Sequence, residues 1–410
     1  MTKKLPYEYL LIIIAILWAF MFSFVLQISV NHELKNDEVT YLDAAKLLYF
    51  DNTLDNTRPL LISTIVGLPC LFGSSDQTII TFGFFINFFS WLFSIVLVYK
   101  ILCLRLSRKM AFVFAVFFIF CIGNLAHSFR LLSESVFIFL IVLAVYFLSK
   151  YYQTTKTYFI TIALSILLLN SLIKPVSIGF AFILLLFYMP KYKQILINRF
   201  SILLVMSVCL IMFQMYSLKK TYGDFTISYI SAFTYYNYLG AKADCIKKNI
   251  EYIPGENLRT KKFNLLSSHE MKQLATKDFI AQLKTNKINL IKAYLFCIYS
   301  NSTKGNLIVS NATNEKNTFY FDAFRFIFKA VSKLQNIIFT LCAVILSVFT
   351  ITNFKKQNQF YILIAFFILY IFFISAISCF ECDRFHIAFF PLLIVLFSNY
   401  IPSRFLKAHL

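Results

Sequence analysis

Long apolar stretches broken by short polar segments dominate the chain. Ten of them, residues 9–30, 78–99, 111–125, 132–148, 159–172, 176–189, 200–218, 337–351, 360–378 and 387–401, approach the length of a bilayer-crossing helix. None alternates with a period of two, as the strands of a lipid-facing barrel do. The first follows Lys3 and Lys4 and has no small-residue cleavage site before Asn31, so it reads as a retained helix, not a signal peptide. Residues 60–72 and 289–299 are shorter apolar segments, expected to be re-entrant or interfacial. The pattern predicts an all-α polytopic membrane protein of about ten transmembrane helices. An N-terminal transmembrane module, 1–218, carries a first large loop at 31–77. A second loop region, 219–336, precedes C-terminal helices in 337–410, and both loops carry amphipathic helices.

Composition agrees with a membrane protein: 59% of residues are hydrophobic, 14% are charged and mean hydropathy is +0.72. With 9 Gly and 8 Pro, collagenous and disordered classes are excluded. The net charge of +20 would suggest nucleic acid, but in a membrane protein Lys and Arg report topology first, so no nucleic-acid partner is expected. Placing the amino terminus inside puts fifteen Lys and Arg in inner segments and six in outer ones, the long loop aside. The expectation is therefore cytoplasmic termini, with both large loops facing the periplasm or exterior. Richness in Lys, Phe, Ile and Asn suggests an AT-rich bacterial genome and hence a bacterial cytoplasmic (inner) membrane. The 9 Cys fall mostly inside apolar runs and indicate no disulfide framework; Cys379 and Cys382 read as chance spacing.

The first loop gathers acidic groups, Glu33, Asp37, Glu38, Asp43, Asp51, Asp55 and Asp76, against Lys35, Lys46 and Arg58. Tyr41, Ala44, Ala45, Leu48 and Tyr49 recur at three and four, describing an amphipathic helix on the membrane surface with Asp37 and Glu38 at its amino end. Carboxylates there also complement the helix dipole with no further role. More telling are ionisable residues at membrane boundaries, where they are costly unless they reach water. Arg130 and Glu134, at i and i+4, are expected to pair on one helix face. Lys174 precedes Pro175 at the next outer turn, and Glu381, Asp383, Arg384 and His386 crowd the last. All share the compartment of the Asp37 loop, which predicts a cationic pocket beside a carboxylate. Sugar transfer from a polyprenyl phosphate needs that pairing: a carboxylate deprotonates the acceptor hydroxyl while Arg and Lys hold the departing lipid phosphate.

Asp37-Glu38 with Tyr41 three residues on, a loop helix, and then Arg58-Pro59 resemble the GT-C glycosyltransferases. The resemblance is to the branch that contains the protein O-mannosyltransferases and the aminoarabinose transferase of lipid A. RLLSESVFIFLIVLAVYFLSKYY is similar to that branch's third and fourth spans, SLIKPVSIGF to its later basic-Pro turn, and ECDRFHIAFFPLLIVL to its final outer turn. The resemblance covers residues 6–200 and the last thirty. It implies a catalytic first outer loop with Asp37 as general base and Glu38 assisting. Arg58, Lys174 and Arg384 would meet donor phosphate, and Tyr41, Arg130, Glu134 and His386 would shape the pocket. Lys174 stands where the family commonly has Arg, which weakens bidentate phosphate contact but not charge neutralisation. No cofactor is required and no metal ligand set is expected, because His32, His127, His269, His386 and His409 are scattered singly; a divalent cation near the phosphate stays open.

The long loop carries an aromatic part, a Lys-rich middle and a polar end, with Met271, Leu274, Phe279, Ile280 and Leu283 placed as on an amphipathic helix that would complete an acceptor cleft. Its excess of about ten positive charges favours an anionic acceptor or lipid heads. With no internal repeat, P-loop or G-x-G-x-x-G, transport and cytosolic nucleotide chemistry lose support. The reading is an inverting glycosyltransferase moving sugar from a polyprenyl-phosphate donor to a cell-envelope glycan (lipopolysaccharide or O-antigen), lipid or protein acceptor, amid membrane lipids. The alternatives are an O-antigen polymerase and a lipid-linked glycan flippase or transporter.

Overall fold

The computed structural model describes residues 6–30, 33–35, 37–254, 258–402 and 406. Lys3, Lys4, His32, Arg404, Lys407 and His409 lie outside the described residues. Those described form helices and turns, without a strand and with one isolated bridge between Leu106 and Leu406. Helix α1 (Tyr7–Leu26) leads through α2 (Asp37–Phe50) and α3 (Leu60–Val66) to α4 (Asp76–Leu102), α5 (Arg108–Ile119), α6 (Ile122–Ser128) and α7 (Glu134–Thr154). Next come α8 (Tyr158–Asn170), α9 (Ser177–Phe187), α10 (Tyr192–Leu196) and α11 (Ser201–Tyr222). Six short to medium helices follow: α12 (Ile230–Thr234), α13 (Ala241–Lys248), α14 (Leu258–Phe263), α15 (Ser268–Thr285), α16 (Lys287–Thr303) and α17 (Leu307–Ser310). The chain closes with α18 (Phe321–Thr352), α19 (Gln359–Ile374) and α20 (Phe390–Phe397).

Among the described residues six helices are long and apolar enough to cross a membrane, namely α1, α4, α7, α11, α18 and α19 with its extension to Ile377. The count reaches eight if two bent pairs, α5 with α6 and Cys382–Ala388 with Phe390–Tyr400, are each one span. This is fewer than the ten expected. Residues 159–172 and 176–189 yield helices of only 13 and 11 residues. At about 1.5 Å per residue neither alone reaches the roughly 30 Å of a hydrocarbon core, but with their flanking turns they run the length of α7, Lys174 meeting Glu134 at its start and Tyr188 meeting Tyr152 near its end. They form a hairpin beside α7 and α11, turning at Lys174-Pro175. The last long segment also starts earlier than read, at Phe321 and not near residue 337, because Lys329 and Lys333 interrupt the apolar run without ending the helix.

Buried amides fix how the helix ends meet. Asn87, inside the apolar α4, donates through Nδ2 to the carbonyls of Arg130 and Leu132, each at 2.9 Å. Asn124 does the same for Ile387, and Asn301 for Ser375 and Ser378. An amide buried in apolar surroundings is costly unless bonded, so each of these contacts specifies one arrangement of turn against helix. At the break between α5 and α6, Gln335 of α18 accepts from the Ile122 N–H and donates to the Phe120 carbonyl, satisfying backbone that the bend frees.

The loop regions are helical and interlocked. In α2, Tyr41, Ala44 and Ala45 face inward as their spacing indicates. Residues 60–72 form α3 and a following 3-10 turn, and residues 289–299 lie within α16. The expected amphipathic helix of the long loop is α15, opened by a reciprocal Ser267–Glu270 cap. It meets the first loop where Asn56 donates to Ser268 at 2.7 Å. Cys297 of α16 and Cys379 form a disulfide, a pairing across 82 residues that the cysteine spacing does not announce. Cys382 stays free and buried, so the C-x-x-C is not a pair.

Candidate functional site

The charged residues of four sequence-distant turns converge on the amino end of α2. The Asp37 carboxylate lies between two guanidiniums, with Oδ1 at 2.6 Å from Arg58 Nη2 and Oδ2 at 2.6 Å from Arg384 Nη1. Arg384 reaches on with Nε to Glu134 at 2.5 Å, and Lys174 Nζ meets the same Glu134 oxygen at 2.7 Å. Arg384 Nη1 also contacts Glu381 at 3.2 Å. The result is a relay of alternating charge, Arg58–Asp37–Arg384–Glu134–Lys174, assembled from α2, the 51–59 loop, the start of α7, the α8–α9 turn and the last turn before α20.

Local structure presents each member. Asp55 Oδ1 accepts from the N–H groups of Thr57 and Arg58, forming the turn that aims Arg58. Arg58 then donates from Nε to Thr40 at 2.9 Å and stacks 4.4 Å above the Tyr41 ring. Tyr41 in turn donates to Ser133 at 2.7 Å, locking α2 to the turn before α7. Arg384 sits in a turn where Phe380 and Cys382, neither a glycine, hold φ of 64° and 55°. Such left-handed conformations persist where surrounding contacts over-determine them, and they cluster at functional sites.

Three expectations are corrected. Arg130 and Glu134 do not pair: Arg130 precedes α7 and faces Glu38 at 3.8 Å, while Glu134 turns to Lys174 and Arg384. The i, i+4 reasoning fails because the helix begins only at Glu134. His386, expected to shape the pocket, is buried among Thr340, Asn336 and Ser375 and lines neither cavity described below. Glu38, expected beside Asp37 as an assistant, points inward, accepting from the N–H groups of Leu131 and Lys35. That is a positioning contact between α2 and the Arg130 turn.

Electrostatics sets the protonation of the centre. Burial works to raise the Asp37 carboxyl, but the Arg384 and Arg58 guanidiniums outweigh it and hold the group below the usual carboxylate range. Burial pulls the Lys174 ammonium below its ordinary value, with Glu134 opposing. Asp37 is thus an ionised acceptor with a partly accessible side chain, as a general base requires. Among the described residues no three His, Cys, Asp or Glu side chains are arranged to hold a metal ion, so no step is routed through one.

Two cavities meet at Arg384. A polar one, about 160 Å³, is lined by Asp37, Arg130, Glu381 and Arg384 together with His127 and Asp383. A narrow apolar groove, lined by Phe137, Ile138, Val176, Ile371 and Ile374, runs from Glu134, Lys174 and Arg384 between α7, the α8–α9 turn and α19. His127, Asn87 and Asp55 are participants that the sequence reading passed over. The available signals were a polar residue within an apolar run for Asn87 and a histidine three positions before Arg130 for His127.

Fold and site define a polytopic helical membrane protein with a buried network of carboxylates and cations at one end of its bundle. No family model matches the sequence, and no curated protein matches it. Among solved structures the chain aligns with the archaeal oligosaccharyltransferase AglB from Archaeoglobus fulgidus in complex with an inhibitory peptide and a dolichol-phosphate. The TM-score is 0.46 and identity 13%, over 96% of this chain and 50% of that one. The chain thus spans half the length of that transferase, and at this score the overlap fixes neither branch nor activity.

Proposed function

We propose that the protein is a membrane glycosyltransferase that moves a sugar from a polyprenyl-phosphate donor to an acceptor hydroxyl. The observation that carries this is the position of Asp37, an ionised carboxylate at the wall of a polar cavity, bridged by Arg384 to an apolar groove headed by Lys174. The groove suits a lipid tail, and Lys174 with Arg384 suits its phosphate. The polar cavity suits the acceptor. Asp37 removes the acceptor hydroxyl's proton as that oxygen attacks the anomeric carbon. The bond from that carbon to the phosphate oxygen breaks, and the phosphate leaves with its charge held by Arg384 and Lys174. A single displacement inverts the anomeric centre. Incoming phosphate competes with Glu134 for both cations, so donor binding and the ion-pair relay are linked.

In this reading the reaction takes place at the periplasmic or outer face of a bacterial cytoplasmic membrane with both termini cytoplasmic, which the excess of Lys and Arg in the expected inner segments supports. The experiment is an intact-mass profile of the host's surface glycans, proteins and lipid-linked intermediates. It compares cells carrying the wild-type gene, no gene, or Asp37→Asn at matched membrane abundance. Loss of one sugar per acceptor in both altered strains supports transfer. Single unpolymerised repeat units after deletion, with Asp37→Asn as wild type, would replace it by an O-antigen polymerase.

A further inference from the structure

The polar cavity has a second wall that the transfer chemistry above does not use. His127, at the end of α6, is 5% exposed and lines the cavity, and its Nδ1 has no hydrogen-bond partner. Beside it Asp383 is 2% exposed. Its two oxygens accept only from Asn306 Nδ2, at 3.0 and 3.3 Å, and no cation pairs with it among the described residues. Gly123 makes room for this carboxylate, since a Cβ at that position would stand 2.4 Å from Asp383 Oδ2. A buried carboxyl and a buried unpartnered imidazole nitrogen on one cavity wall are each costly to a fold unless protonated or hydrogen-bonded. Both groups suit a hydroxyl, which can donate to the carboxylate and exchange a hydrogen bond with the ring.

Charge narrows the ligand class. The cavity wall carries four carboxylates, Asp37, Glu38, Glu381 and Asp383, against Lys35, Arg130 and Arg384. Arg130 and Arg384 are already paired with carboxylates. The long loop contributes Leu307, Ile308 and Asn311 to this wall and none of its many lysines. Two of the three cations on this wall are thus already engaged and the loop's overall charge adds none, which leaves hydroxyl groups the chemistry that His127 and Asp383 are best fitted to receive.

We propose that His127 and Asp383 form a subsite for the hydroxyl groups of a neutral sugar on the acceptor, held with its reacting hydroxyl towards Asp37. This rests on the glycosyltransferase reading and adds the acceptor's chemical class. The donor's own sugar would share the hydroxyl chemistry, so the test separates the two sources.

The full chain in nanodiscs is probed by saturation-transfer NMR with a panel of methyl glycosides, the corresponding 6-phosphates, and farnesyl phosphate as lipid-phosphate probe. The wild type is expected to bind at least one methyl glycoside, about tenfold more tightly than its 6-phosphate. His127→Phe and Asp383→Asn are each expected to weaken glycoside binding about tenfold, a loss on the order of one hydrogen bond to a charged or buried group. Farnesyl phosphate should bind both variants within about twofold of wild type. His127→Phe removes no protein hydrogen bond, so it keeps the test sound if Asp383→Asn misfolds, and His127→Gln should recover part of the loss. Three results overturn the subsite: no glycoside binds the wild type, both variants bind glycosides as the wild type does, or the 6-phosphates bind better. Variants that lose farnesyl phosphate alone would place the cavity on the donor side and overturn it too. If farnesyl phosphate fails to bind even the wild type while glycoside binding still depends on His127 and Asp383, the donor reading fails and the subsite stands.

Discussion

Arg384 is the residue on which the site turns. It donates to Asp37, Glu134 and Glu381 at once, which a planar fork can do and a single ammonium cannot. Arg384→Lys is therefore expected to lower transfer by about a hundredfold while keeping the charge, measured as initial rates on isolated lipid-linked donor. Asp37 carries a pH prediction. Its carboxyl lies below the ordinary 3.8 despite burial, so its pairing with Arg58 and Arg384 is fully present above that value and lost as pH falls through the depressed one. The acid limb of kcat/KM, which reports the free enzyme, should lie below 3.8, and Arg58→Gln should move it upward. At this scale the sequence was partly legible. Lys174 and Arg384 stood out because charge at a membrane boundary is costly, and Asp37 and Arg58 through the resemblance of the first loop. Their partners did not, because the i, i+4 spacing assigned Glu134 to Arg130 whereas α7 begins only at Glu134.

Elements position these residues through buried amides more than through capping or propensity. Asn87 of α4 holds two carbonyls of the turn that carries Arg130. Asn87→Leu fills the same space but leaves both carbonyls unsatisfied. It should cost about 1–3 kcal/mol in chemical unfolding in detergent and loosen the Arg130–Glu38 contact. Asn87→Ser, able to keep one bond, should cost less. Helix α2 was legible from its three-and-four spacing, and α15 from the same pattern in the long loop. The short hairpin α8–α9 was not. Its apolar runs look like spans in composition, and only the turn at Lys174-Pro175 sets their helices at 13 and 11 residues.

The whole molecule puts its charged network at the end of the bundle where α2, α15 and α17 lie, and the proposed orientation faces that end outward. Lys248→Cys, on an exposed helix of that region, should react in intact cells with a membrane-impermeant maleimide, and Lys356→Cys, at the opposite end in that orientation, only after lysis. The reverse pattern would invert the topology. The all-helical membrane class was readable from hydropathy. The gathering of the outer turns beside Asp37 was expected from their shared compartment, but the pairings among them were not, since no spacing in the chain encodes contacts between residues as far apart as Asp37 and Arg384. The central claim is that Asp37 is the base, and single-turnover transfer by purified Asp37→Asn tests it most directly, using donor lipid accumulated by cells lacking the gene. The rate should fall about a hundredfold or more with farnesyl phosphate affinity unchanged. A rate within a few-fold of the wild type would contradict it.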